Sequence, residues 1–211
     1  MPLSNYGEPY MLQALFGGVT SALPTPTSGS WYIGLIKAKG TWLASTAYVI
    51  GDLVIPTNFA STNKIFRCTT AGTSGGTEPS WNTGANATTS DGGVTWTETT
   101  SYFYTSANII SNEVSGTSYA RQALTNSQGA STWVQPTTPA SAAPASTNWG
   151  TAINFPSSGN AWGYVVGFFL SNVSSAGNAY AWNTLSNYVP MLVSGMTLTL
   201  PSSTGVTVTL S

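Results

Sequence analysis

Residues 196–200 (MTLTL) and 206–210 (VTVTL) alternate apolar and polar side chains without a break, the two-residue period of a strand buried on one face. A different pattern, apolar throughout, runs through residues 162–170 (WGYVVGFFL) and predicts a central strand covered on both faces. Residues 31–37 (WYIGLIK) are aromatic and β-branched and predict an early strand. Residues 179–185 return beside 162–170 through a turn at 174–178, and residues 118–125 and 150–155 are further strand candidates. One short helix is expected at residues 8–16 (EPYMLQALF), stopped by Gly17 and Gly18. Residues 20–30 read as an extended connector, and 131–148 as a low-complexity loop too poor in apolar residues for a core. Short strands separated by Gly, Pro, Ser and Asn turns predict an all-β chain with a β-sandwich body.

Residues 41–98 break this pattern and read as a small β module set into the body, which is then made of residues 1–40 and 99–211. Trp42, Trp81 and Trp96 fall in the block, and so do Asp52, Lys64, Arg67, Glu78, Asp91 and Glu98. Its strands are expected near 49–55, 64–69 and 94–97, with turns at 72–76 and 91–93.

Charge changes the picture more than length does. Only 5 % of the 211 residues are charged and the net charge is −1, where an ordinary soluble domain has about 25 %. Ser, Thr, Asn and Gly must keep such a chain in solution, and neighbouring copies can approach with little repulsion. Few ions with 12 % aromatic residues favour a subunit of an assembly, expected to be a homo-oligomer. Five Lys plus Arg cannot form a basic stripe for nucleic acid. No apolar run approaches the ~20 residues that span a bilayer, so no membrane insertion is expected. The first eighteen residues lack the basic start and long apolar core of an export signal, which suggests synthesis and retention in a cytoplasm until release by another route.

The inventory also limits chemistry. Without histidine, Ser-His-Asp and Cys-His catalysis and His-ligated metal have no basis. No phosphate-cradling glycine loop with Lys-Ser/Thr is present. No catalytic residue, metal or cofactor is therefore expected, and the chain is read as a non-enzyme. Cys68, the one cysteine, is either a small buried hydrophobe or a thiol activated by Arg67. Asp52 and Asp91 read as turn residues. Arg121 and Glu113 either pair within a neutral body or leave the arginine exposed and idle.

Trp42, Tyr48, Trp81 and Trp96 are the candidate binding residues. Exposed rings of this kind stack on the C–H face of a sugar; a module of about 58 residues also needs large rings to fill its small core. Trp42 and Trp96 lean toward the core, and Trp81, following Pro79 in a loop, toward the surface.

Two resemblances rest on particular stretches. Residues 12–18 (LQALFGG), 31–35 (WYIGL), 113–125 (EVSGTSYARQALT), 153–156 (INFP), 161–170 (AWGYVVGFFL) and 196–200 resemble, in this order, a family of small tailed-bacteriophage structural proteins of head-decoration, minor structural or tail-fibre type. That likeness implies a virion protein whose partners are other virion subunits, the major capsid protein or tail proteins. It implies a capsid decoration, cement or head-fibre role, with a tail-fibre or receptor-binding subunit as the alternative. Residues 2–18, apolar and flanked by Gly, read either as an anchor reaching a neighbour or as a strand- or helix-capping segment of the same domain. The block at 41–98 is similar to a small aromatic carbohydrate-binding module of phage fibres and of chitin- and cellulose-degrading enzymes. It matches in Trp42, Tyr48, Gly51-Asp52, Phe66-Arg67-Cys68, Pro79-Ser80-Trp81 and Asp91 to Trp96. This implies an outward module that contacts cell-surface glycan.

Overall fold

The computed structural model describes residues 30–62, 64–99, 105–125, 145–148, 152–156, 159–201 and 207–210. The helix expected at 8–16, the anchor at 2–18 and most of the connector and the 131–148 loop lie outside the described residues. The chain is all-β, with two short helices among the described residues.

The body is organised around β1 (Ser30–Ala38), the strand expected from WYIGLIK. Within the block follow β2 (Gly40–Thr41), β3 (Ala47–Tyr48), β4 (Leu53–Ile55), β5 (Phe66–Thr70), β6 (Gly72–Thr73), β7 (Thr88–Asp91) and β8 (Val94–Glu98). The body resumes with β9 (Gln122–Thr125), β10 (Ala145–Asn148), β11 (Ile153–Phe155), β12 (Gly163–Ser171), β13 (Ala179–Met191), β14 (Leu198–Leu200) and β15 (Thr207–Leu210). Four of these form an antiparallel sheet in the order β13-β12-β1-β9. Alternation along β1 then assigns its two faces. Ile33 and Leu35 pack with Val165, Phe168 and Leu124, and the β11–β14 ladder closes over them with Ile153, Phe155, Leu198 and Leu200. Ile36 and Ala38 point the other way, beside Val166, Phe169 and Trp182.

What covers that second face is the inserted block. Leu53 and Ile55 of β4, with Phe59 and Ile65, join Ile36, Val166 and Phe169 in one buried cluster, and Ile109 from the helix Ser106–Ser111 completes it. Each such side chain contributes on the order of 1.5–3 kcal/mol on burial, so block and body share a substantial core. β12 is thereby buried on both faces, as its unbroken apolar run predicts. The block's own sheet runs β2-β4-β5-β8-β7, with β3 paired to β6 beside it. Trp42, Tyr48, Val54, Phe66, Cys68, Val94 and Trp96 fill a further cluster within the block.

Several boundaries differ from expectation for identifiable reasons. The strand predicted at 49–55 is split, because the Asp52 N–H donates to the Val49 carbonyl and the Asp52 carboxylate accepts from the Val49 N–H. That turn leaves Val49 and Ile50 each 62 % exposed. The strand predicted at 118–125 starts only at Gln122, since Ser118 has φ 69° and Tyr119 and Arg121 turn inward to polar partners. The last four residues of the expected 131–148 loop pair as β10 with β15; polar side chains do not prevent a strand whose ladder is made by backbone. β13 runs on to Met191, past the expected end at 185.

Gly34 sits opposite Phe169 in the β1–β12 ladder. A Cβ there would fall 2.3 Å from the Phe169 ring, which lies over the bare backbone. Gly34→Val is expected to lose about 1–3 kcal/mol through forced repacking, read as a lower urea midpoint with unchanged slope.

Candidate functional site

β7 and β8 meet in a tight hairpin closed by Gly92 and Gly93, with Asp91 paired to Val94 and Gly92 at φ 60°. This is the turn expected of Asp-Gly. Inward positions alternate along both strands: Thr89 and Asp91 on one, Val94, Trp96 and Glu98 on the other. Asp91 is consequently only 4 % exposed. One carboxylate oxygen accepts the indole N–H of Trp42 at 2.7 Å and that of Trp96 at 2.9 Å. The other accepts the Gly75 N–H at 2.7 Å. An acid read as a turn residue is also the polar centre of the block. The signal for it was present: the two-residue period through Val94 and Trp96, carried across the hairpin, puts Asp91 inside.

The four candidate rings are brought together, but largely inside. Trp42, Tyr48 and Trp96 are 6 %, 3 % and 0 % exposed. Tyr48 meets Trp96 edge-on at 4.8 Å, and its hydroxyl accepts the Leu43 N–H. Stacking on a sugar needs an open ring face, and these three rings have none, so they are corrected from binding residues to core. The small block fills its interior with them. Trp81 is half-buried, neither exposed as expected nor enclosed. Its ring lies 4.3 Å from Phe66 and 5.9 Å from Trp96, and its indole N–H donates to Glu78 at 2.9 Å.

Glu78 also accepts from the Thr57 N–H and the Thr57 hydroxyl, tying the loop after β6 to the turn after β4. Burial pushes the Glu78 carboxyl up, but the hydrogen bonds from Thr57 and Trp81 outweigh it and hold it below its ordinary 4.5. A carboxyl with a depressed folded pKa contributes stability above its unfolded pKa, and loses it as pH falls through the folded value. Acid titration below about pH 4.5 should therefore loosen this strap and change Trp81 fluorescence; Glu78→Gln should remove that change.

Cys68 is buried, and its Sγ donates to the Thr70 carbonyl at 3.2 Å. Burial, and next the Asp52 charge, push its thiol above the ordinary value. That is the environment of an inert thiol rather than a nucleophile.

Arg121 and Glu113 do pair. The arginine Nε and one terminal nitrogen reach the two Glu113 oxygens at 2.8 and 2.7 Å. The other terminal nitrogen donates to the Ser171 hydroxyl and to the carbonyls of Val173 and Ala176. The guanidinium lies over the Phe169 ring at 4.9 Å. This staple fixes the turn between β12 and β13. Glu113 also accepts from the Tyr119 hydroxyl, which in turn accepts the Leu35 N–H. Burial, and next the Glu113 charge, push the Tyr119 phenol far above its ordinary range and keep it a donor.

Among the described residues no three His, Cys, Asp or Glu side chains gather as metal ligands would. No family model matches the sequence, and no curated protein matches it either.

Proposed function

We propose that the chain is a non-enzymatic structural subunit of a tailed-bacteriophage virion, docked on other subunits as a capsid decoration or cement protein or a head-fibre subunit. The observation that carries this reading is how its few charges are used. Arg121 pairs with Glu113, Lys64 with Glu98 and Lys39 with Asp52, while Asp91 serves indoles and Glu78 a strap. The surface is left poor in ions, and Leu43, Val49, Ile50, Leu192 and Val193 stand exposed on it. Such a surface favours contact with another protein surface over free solvation. The stretches that resemble phage structural proteins support the same reading.

A tail-fibre or receptor-binding subunit is the second reading, supported by the part of Trp81 that remains at the surface. Cryo-electron microscopy of purified particles tests both. Density for the β body repeated over the head lattice is expected. Density at the tail alone would favour the fibre role, and absence from the particle would overturn both.

A further inference from the structure

We infer that the junction between body and block is a binding cleft for an acidic sugar unit, a saccharide bearing a carboxylate or phosphate. The inference does not depend on where in a particle the chain sits. The cleft forms where β1 leaves the body to enter the block, and its volume is about 830 Å³, within the ~300–1,000 Å³ usual for small-ligand sites. Three of the chain's five cations line it, Lys37, Lys39 and Arg67, against a single acid, Asp52. The cleft therefore carries a formal surplus of two positive charges, while the other two cations in the chain face five acids. A formal surplus of this sign favours an anion at this place.

The arrangement follows from the strand. Lys37 lies near the end of β1 and Lys39 directly follows its last residue, Ala38. Lys39 is matched by Asp52 at 2.7 Å. Lys37 has no carboxylate within ion-pair distance among the described residues; its ammonium donates to the Ser115 hydroxyl at 2.8 Å. Arg67 enters from β5 and is half-buried. Beside these cations stands the Ser115 hydroxyl, a group that exchanges hydrogen bonds with sugar hydroxyls, while the Asn112 amide nitrogen on the same wall is held by the Asn108 carbonyl and the Ser111 hydroxyl. The exposed Ile50 supplies an apolar edge for the C–H face of a ring. Cations with neutral polar groups and one apolar edge suit an acidic saccharide better than a bare anion.

Titration calorimetry on the whole chain tests the inference, with trigalacturonate and glucose 6-phosphate as acidic probes, cellotriose as the neutral one and hexaglutamate as an acidic peptide. At least one acidic saccharide is expected to bind and cellotriose not to, the carboxylate and phosphate arms showing which anion is preferred. Lys37→Met, which removes an ammonium bonded to the exposed Ser115 hydroxyl, is expected to weaken that binding about tenfold or more, since charge-assisted hydrogen bonds are lost. Arg67→Gln, checked for an unchanged melting temperature, is expected to do the same, and added salt should weaken binding further. Failure of both acidic saccharides to bind at millimolar concentration would overturn the inference. So would wild-type affinity in Lys37→Met, or hexaglutamate binding as tightly as the sugars.

Discussion

Asp91→Ala is expected to lower the denaturant midpoint of the whole chain, with a loss of about 3–5 kcal/mol. The alanine leaves three buried or half-buried donors, the indoles of Trp42 and Trp96 and the Gly75 N–H, without their acceptor. Each orphaned donor costs about 1–3 kcal/mol. Asp91→Asn is expected to be milder, because one amide oxygen remains and can still serve the indole pair. Urea unfolding followed by tryptophan fluorescence measures both, and the order Ala worse than Asn is the outcome to check. A role for Asp91 confined to the hairpin turn would instead make the two substitutions nearly equal and small.

Arg121→Met is the second large effect, expected at about 3–5 kcal/mol because it strands a partly buried carboxylate and removes the donors that hold Val173 and Ala176. The double variant Arg121→Met, Glu113→Leu is expected to recover part of that loss, since a buried pair exchanged for apolar residues is often far less harmful than a pair with one partner missing. A double-mutant cycle separates the two cases. Additive losses would mean that the guanidinium acts mainly through the turn carbonyls and not through Glu113.

Much of the fold was legible from local pattern. β1, β12 and the β14 alternation follow directly from WYIGLIK, WGYVVGFFL and MTLTL, because the period of a buried strand is written in adjacent residues. The helix Ser106–Ser111 was not, since its six residues hold only Ile109 and Ile110 as large apolar markers, too few to show a helical period. Its start depends on the Thr105 hydroxyl accepting the Asn108 N–H. The candidate site was legible as a set of rings but not as a surface. Trp42, Tyr48 and Trp96 were placed together by the resemblance, whereas their burial depends on Asp91 reaching inward to two indoles. The packing of Leu53, Ile55, Phe59 and Ile65 against Ile36, Val166 and Phe169 joins residues more than a hundred positions apart. No local pattern contains such a contact. The junction cleft was missed for the same reason, because Lys37 and Arg67 meet only after the block has folded back on the body.

The block at 41–98 is thus a structural part of the body rather than an appended module with open rings. Native-state amide hydrogen exchange tests this most directly. The N–H groups of Trp42 and Cys68, bonded to Ile55 and Asp52 in the block, and those of Val114 and Trp162, bonded to Leu35 and Met191 in the body, report the two parts separately. All four are expected to exchange through one common opening, with free energies agreeing to about 1 kcal/mol. A separate, lower-energy opening of Trp42 and Cys68 while Val114 and Trp162 stay protected would contradict the account.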